Sequence, residues 1–167
     1  MTESSRWEAK QQLRRSLRER RRQVSSKERA SASREIARRL FELVDFGGVR
    51  ALHVYRSVPG WGEVDTEEIV AAIGSRWPAV EIVSPDLSAE QPIPTRPFDL
   101  IVVPVLGFDR RNFRLGLGAG FYDRFLATQP DALKVGLAYD WARLDALPDE
   151  PHDIPLDLVI TEVSEVS

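Results

Sequence analysis

Leu100 to Val105, LIVVPV, is apolar almost without interruption. An edge or half-exposed strand alternates apolar with polar residues; a run without polar relief must be covered on both faces. That is the pattern of a strand inside a parallel sheet with helices above and below. The neighbouring segments agree. Ala51 to Tyr55 (ALHVY), Val80 to Val83, Val135 to Tyr139 and Leu156 to Ile160 read as further short strands. Helical patterns fall between them, around Ile69, Val70 and Ile73 and around Tyr122 to Ala127. The expected architecture is α/β, with a mainly parallel central sheet.

Two helices precede this body. Ser5 with Glu8 has capping-box spacing, and Trp7, Leu13, Leu17 and Val24 form a sparse apolar stripe on a very basic helix. Ser25 with Glu28 repeats the signal ahead of Ile36, Ala37, Leu40, Phe41 and Val44, and Phe46-Gly47-Gly48 closes the second helix. Asp65 with Glu68 makes a third capping box, for a helix that stops before Trp77-Pro78. Residues 84–98 carry four prolines and read as an ordered loop rather than a linker, so residues 1–167 are expected to form one domain.

Charge is distributed unevenly. Residues 1–44 hold 13 Lys and Arg against 6 Asp and Glu, whereas the remainder holds 10 against 20. A basic segment on an acidic body must meet anions: the body itself, a phosphorylated ligand or nucleic acid. Cysteine is absent, which excludes disulfides, thiolate metal sites and cysteine nucleophiles and fits a cytoplasmic protein. No apolar run approaches the ~20 residues of a membrane span, and the polar start MTESSRWEAK does not read as a secretory signal.

Chemistry concentrates in Phe108 to Leu126, FDRRNFRLGLGAGFYDRFL. Gly116, Gly118 and Gly120 lie between a buried strand and a helix, where glycine allows a tight bend and lets backbone N–H groups approach a phosphate. Arg114 stands beside the bend, and Asp123 offers oxygen to a hard cation. The same residues also read as a plain strand-to-helix turn with a surface Arg and a capping Asp, and spacing leaves both open. Neither a Walker A loop nor G-x-G-x-x-G is present. His53, inside a strand, reads as packed or hydrogen-bonded rather than catalytic, and Trp7 as core packing of the first helix. Trp61 and Trp141 read as cover for apolar surface, although either could stack on a heterocycle.

RLGLGAGFYDRFL resembles the RLGxGxGYYDxxL signature of the 5-formyltetrahydrofolate cyclo-ligase family, and VVPVLGFDRR resembles its lead-in. Lys10-Gln11-Gln12-Leu13-Arg14 is similar to the family's K-x-x-L-R. Gly62-Glu63-Val64-Asp65-Thr66 is similar to its Glu-x-x-Thr element, and His152-Asp153 with Leu156-Asp157 to its closing segment. The resemblance implies a three-layer sandwich like that of ribose-phosphate isomerase and CoA-transferase domains. It also implies ATP-dependent conversion of 5-formyltetrahydrofolate to 5,10-methenyltetrahydrofolate through a phosphorylated formyl oxygen.

Carried over by position, Lys10, Arg14, Arg114, Gly116, Gly118 and Gly120 would bind ATP, with Arg114 catalytic. Asp123 and Asp153 would hold Mg2+. Glu63 would bind the pterin edge, and Leu117, Gly118, Ala119, Gly120 and Phe121 would line the folate pocket. The chain departs from the pattern mostly on the folate side: residues 84–98 are shortened, two residues are added before Glu63, Ala119 replaces a lysine of some members, and Phe121 replaces tyrosine. Two other readings accompany this one: an ATP-dependent relative acting on another small molecule, and an RNA-binding module using Arg14 to Arg22. Against the latter, Glu19 interrupts the run and no aromatic platform accompanies it.

Overall fold

The computed structural model describes residues 2–85 and 89–167; positions 86–88 of the expected 84–98 loop lie outside the described residues. The elements are α1 (Glu3–Arg22), α2 (Ser26–Leu43), β1 (Ala51–Val54), α3 (Glu67–Arg76), β2 (Glu81–Val83) and β3 (Leu100–Pro104). They continue with β4 (Gly107–Phe108), β5 (Arg114–Leu115), α4 (Phe121–Ala127), β6 (Leu133–Leu137), β7 (Leu158–Ile160) and β8 (Glu165–Val166).

Six strands form one sheet in the order β2-β1-β3-β6-β7-β8, parallel except for β8. The apolar run at 100–105 supplies the central β3, in register with β1 through Leu52–Leu100 and with β6 through Val102–Val135. Leu100, Ile101, Val102 and Val103 are all fully buried, as a strand covered on both faces requires. The chain moves outward in opposite directions, from β1 to β2 through α3 and from β3 to β6 through α4. With the right-handed crossovers that parallel strands almost always take, the two helices fall on opposite faces. Helix α2 packs beside α3 and over β7, burying Ile36 and Leu40 completely.

Helix starts follow their caps, with two corrections. Ser25 and Glu28 form the reciprocal capping box at α2. At α1 the cap is Thr2, whose hydroxyl accepts the Ser5 N–H, and Ser5 lies inside the helix. At α3, Thr66 occupies the cap position while the Asp65 carboxylate accepts the Glu67 N–H; Glu68 closes no box. Thr66 is unavailable as a side-chain cap because its hydroxyl donates to the Tyr55 carbonyl.

One short pairing near the bend was not foreseen. β4 and β5 form a small antiparallel hairpin between β3 and the glycine-rich bend. The buried Asp109 carboxylate organises its turn, accepting the N–H groups of Arg111, Phe113 and the distant Leu147. Helix α1 rests on this hairpin through a small cluster of Leu17, Leu106, Leu115 and Leu147, separate from the main core. The fit is close: a Cβ on Gly107 would lie 2.6 Å from a Leu17 methyl.

Candidate active site

In an open parallel sheet, ligands bind beyond the carboxyl ends of the strands, where neighbouring chains leave in opposite directions. Here that point lies between β1 and β3. The chain after β1 carries Glu63, and the chain after β3 carries the hairpin and the 116–120 bend. Helix α1 lies alongside. Together they enclose a cleft of about 690 Å³, within the range of small-molecule sites.

The cleft gathers every residue expected of a site: Lys10, Arg14, Glu63, Arg114, Gly116, Leu117, Gly118, Ala119, Gly120, Phe121, Asp123 and Asp153 all line it. Their detailed pairings were not expected. Lys10 is buried, its Nζ donating to Asp153 at 2.6 Å and to Glu150 at 2.7 Å. Arg14 Nε donates to the Gly116 carbonyl at 3.0 Å, and Arg18 to the Leu117 carbonyl at 2.7 Å. Arg114 donates to Asp123 at 3.0 Å and to the Ile154 carbonyl at 3.3 Å. Burial lowers the Arg14 pKa below its ordinary value, with Arg18 adding to the effect.

The bend is shaped by two of its three glycines. Gly118 has φ +108° and Gly120 φ +67°, conformations that L side chains avoid. Gly116 has ordinary φ, and a Cβ there would meet nothing within 4 Å, so open space rather than backbone geometry surrounds it. Arg14 and Arg18 take up the Gly116 and Leu117 carbonyls, and Arg124 those of Ala119 and Gly120. The N–H groups of residues 117–120 donate to no acceptor among the described residues, which leaves them available to an anion.

Glu63 is held differently. It is 4% exposed and accepts the Val58 N–H at 2.9 Å. The chain on either side of it is pinned by hydroxyl bonds from Tyr139 to the Gly62 carbonyl and from Tyr55 to the Val64 carbonyl. Burial raises the Glu63 pKa, against the opposing effects of the Val58 amide and of Arg21.

Asp123 and Asp153 line one cleft but do not share a ligand cluster. Asp153 groups with Glu150 and His152, one ligand atom from each lying within 4.8 Å of the others, while Asp123 faces Arg114. Arg18, Arg21, Glu150 and Tyr122 are cleft or bend residues that sequence reasoning passed over. A signal existed for the arginines. At about 100° per residue, Lys10, Arg14, Arg18 and Arg21 fall within an arc of about 80°, directly beside the Leu13, Leu17 and Val24 stripe. The basic helix therefore turns this cationic face inward. Arg15 and Arg22 stay exposed, and Arg20 stacks over Trp141.

Three aromatic readings are revised or specified by the structure. Trp7 is 60% exposed and stands at the cleft rim, so it is not core packing: α1 turns its leucines toward the hairpin and leaves the indole outside. Trp141 stacks on Tyr139 at 5.4 Å, and Trp61 is 37% exposed; neither lines the cleft. His53 is fully buried against Phe98, Tyr122 and Phe125, and neither ring nitrogen has a hydrogen-bond partner among the described residues, so of the two expectations packing holds.

Sheet order and cleft together define a doubly wound α/β protein with a cation-lined binding site at its switch point. The chain belongs to the 5-formyltetrahydrofolate cyclo-ligase family, whose model matches residues 6–80 and 74–162. It is 39% identical over 88 residues to the 5-formyltetrahydrofolate cyclo-ligase of Escherichia coli K12, covering 49% of this chain and 46% of that protein. It is 37% identical over 103 residues to that of Mycolicibacterium smegmatis, covering 60% and 50%. The chain thus spans about half the length of these relatives in the matched stretch. In three dimensions it is similar to a 5,10-methenyltetrahydrofolate synthetase from Mycoplasma pneumoniae, with TM-score 0.76, 25% identity, and 92% and 98% of the two chains covered. The corresponding protein of Aquifex aeolicus gives TM-score 0.77 at 27% identity, covering 94% and 91%.

Proposed function

We propose that this chain closes 5-formyltetrahydrofolate to 5,10-methenyltetrahydrofolate at the expense of ATP, releasing ADP and phosphate. The observation that carries the reading is the convergence, in one cleft, of three buried or half-buried cations, a bend with free amides and a buried carboxylate. Phosphoryl transfer asks a protein mainly for positioning and charge neutralisation. Lys10, Arg14 and Arg114, with the N–H groups of the bend, supply both at the polyanion end. Glu63 supplies a two-oxygen acceptor for the amino-pyrimidinone edge of a pterin at the other. Leu117, Phe121 and the glycines between them form the wall where the formyl group would lie.

The donor set also fits Mg2+. Carboxylate oxygens suit a hard cation, and the ammonium of Lys10 already occupies the gap between Glu150 and Asp153, so that gap calls for positive charge. Asp153 and Glu150 would hold the ion, whereas Asp123 is paired with Arg114 and lies outside their ligand cluster. The metal supplies charge neutralisation at the triphosphate; the chain's own residues bind and orient.

No described helix is long and apolar enough to cross a membrane. One relative, from Arabidopsis thaliana, is named mitochondrial. For this chain, with no cysteine, we propose a cytoplasmic location.

The deciding test is incubation with 5-formyltetrahydrofolate, ATP and Mg2+ while following the near-ultraviolet absorbance of the methenyl product. Absorbance should rise only with all three present. Nucleotide binding without any such rise would replace this reading with an ATP-dependent enzyme of another small molecule.

A further inference from the structure

The floor of the cleft contains a buried cation that none of the roles above uses. Arg21 is 6% exposed and lines the cleft with Glu63, yet its side chain makes no hydrogen bond and no close ion pair among the described residues. Buried guanidinium groups are almost always paired, because desolvating the charge costs several kcal/mol unless a partner compensates. The hydroxyls that could have approached are committed: Tyr55 donates to Val64 and Tyr139 to Gly62. Tyr122, also lining the cleft, has a buried hydroxyl without a partner among the described residues. Among the described residues Glu63 accepts only the Val58 N–H. The floor therefore offers unused donors on one side and an underused acceptor on the other.

Position along α1 separates Arg21 from the polyanion end. It lies seven residues beyond Arg14, about 10 Å along the helix axis. The loop that bears Glu63 is seated on Arg21 itself: a Cβ on Gly62, whose φ is +69°, would lie 3.1 Å from the Arg21 carbonyl oxygen and 3.2 Å from its Cγ. Cation and carboxylate are thus fixed relative to each other, close enough to interact electrostatically but not touching.

We propose that Arg21 is a specificity-determining residue that donates to the 4-oxo group of the pterin while Glu63 accepts from N3–H and the 2-amino group. The inference rests on the folate reading above. The pyrimidinone edge presents two donors followed by one acceptor. A carboxylate satisfies the donors, and a guanidinium held across a gap satisfies the acceptor. In a 4-amino-4-deoxy folate the 4-oxo acceptor becomes a donor and N3 carries no hydrogen. Glu63 then keeps only the 2-amino donor, while Arg21 would face a mismatched group and stay unpaired, a costly outcome in a buried site. The part of the preference that Arg21 carries is what its substitution removes.

The test is equilibrium binding of 5-formyltetrahydrofolate and of its 4-amino-4-deoxy analogue, read by quenching of tryptophan fluorescence, with ATP binding measured in parallel. Wild type should prefer the 4-oxo compound by about 10-fold or more. Arg21→Met should weaken binding of the 4-oxo compound by about 10- to 100-fold, shift the 4-amino compound by no more than about 3-fold, and leave ATP affinity unchanged. Arg21→Lys keeps the buried charge without the planar fork, and should narrow the preference partway; it serves if the Met variant does not fold. Equal weakening of both compounds, or no weakening, overturns the inference while the folate reading stands. A wild-type protein that binds neither folate overturns that reading and the inference with it.

Discussion

Arg114 holds Asp123 and the Ile154 carbonyl with only 4% of its side chain exposed, so its charge acts where water screens it little. A cation in that setting stabilises negative charge that grows in a transition state. Arg114→Ala is therefore expected to lower turnover by about 100-fold or more, measured as the rate of methenyl absorbance, and an unchanged rate would remove it from the mechanism. Asp153 makes a different demand. Converting it to Asn deletes one of two carboxylates flanking the Lys10 ammonium, in the gap assigned to the metal. The Mg2+ concentration for half-maximal rate, titrated at fixed ATP, should rise about tenfold, the worth of one charge-assisted contact.

Among the elements, the β4–β5 hairpin sets the reach of the site because it delivers the glycine-rich bend to the cleft. Its integrity depends on Asp109, fully buried with three backbone N–H groups and the Arg111 guanidinium on its carboxylate. Asp109→Ala would strand those donors and should cost roughly 3 kcal/mol or more of unfolding free energy in urea. The hairpin also shows where a linear reading stops. Long, strongly patterned segments were legible: β3 from its unbroken apolar run, and α2 from its capping box and 3.6-residue spacing. Two-residue strands such as Gly107–Phe108 and Arg114–Leu115 carry no periodicity and are fixed by tertiary bonds. The cleft was legible where residues cluster in sequence, as at 114–123. It was obscure at Arg18, Arg21 and Glu150, whose role appears only when α1 docks and chooses which sector of its surface faces inward. Trp7 failed for the same reason: an apolar residue at helical spacing does not say which side the partner lies on.

For the molecule as a whole, His53 ties stability to pH. Burial pushes its pKa down from 6.5 to about 4, so the core accepts the neutral ring and the unfolded chain takes the proton first. Its contribution is full above about pH 6.5 and is lost as pH falls toward 4, a change of about 3 kcal/mol. Glu63, whose pKa burial raises, works in the opposite direction. Urea titrations at pH 7 and 4.5 should show the loss, and His53→Leu should flatten it. A slope that persists in that variant would assign the acid sensitivity elsewhere.

The attachment of α1 has a consequence for the order in which properties fail. Lys10, Arg14 and Arg21 ride on an element anchored by a small leucine cluster and by polar bonds from Lys10, Arg14 and Arg18, whereas the sheet is welded through the large central cluster. On gentle warming, that leading segment should peel away first. Turnover and ligand affinity would then vanish several degrees before the sheet melts, leaving an inert but still structured platform.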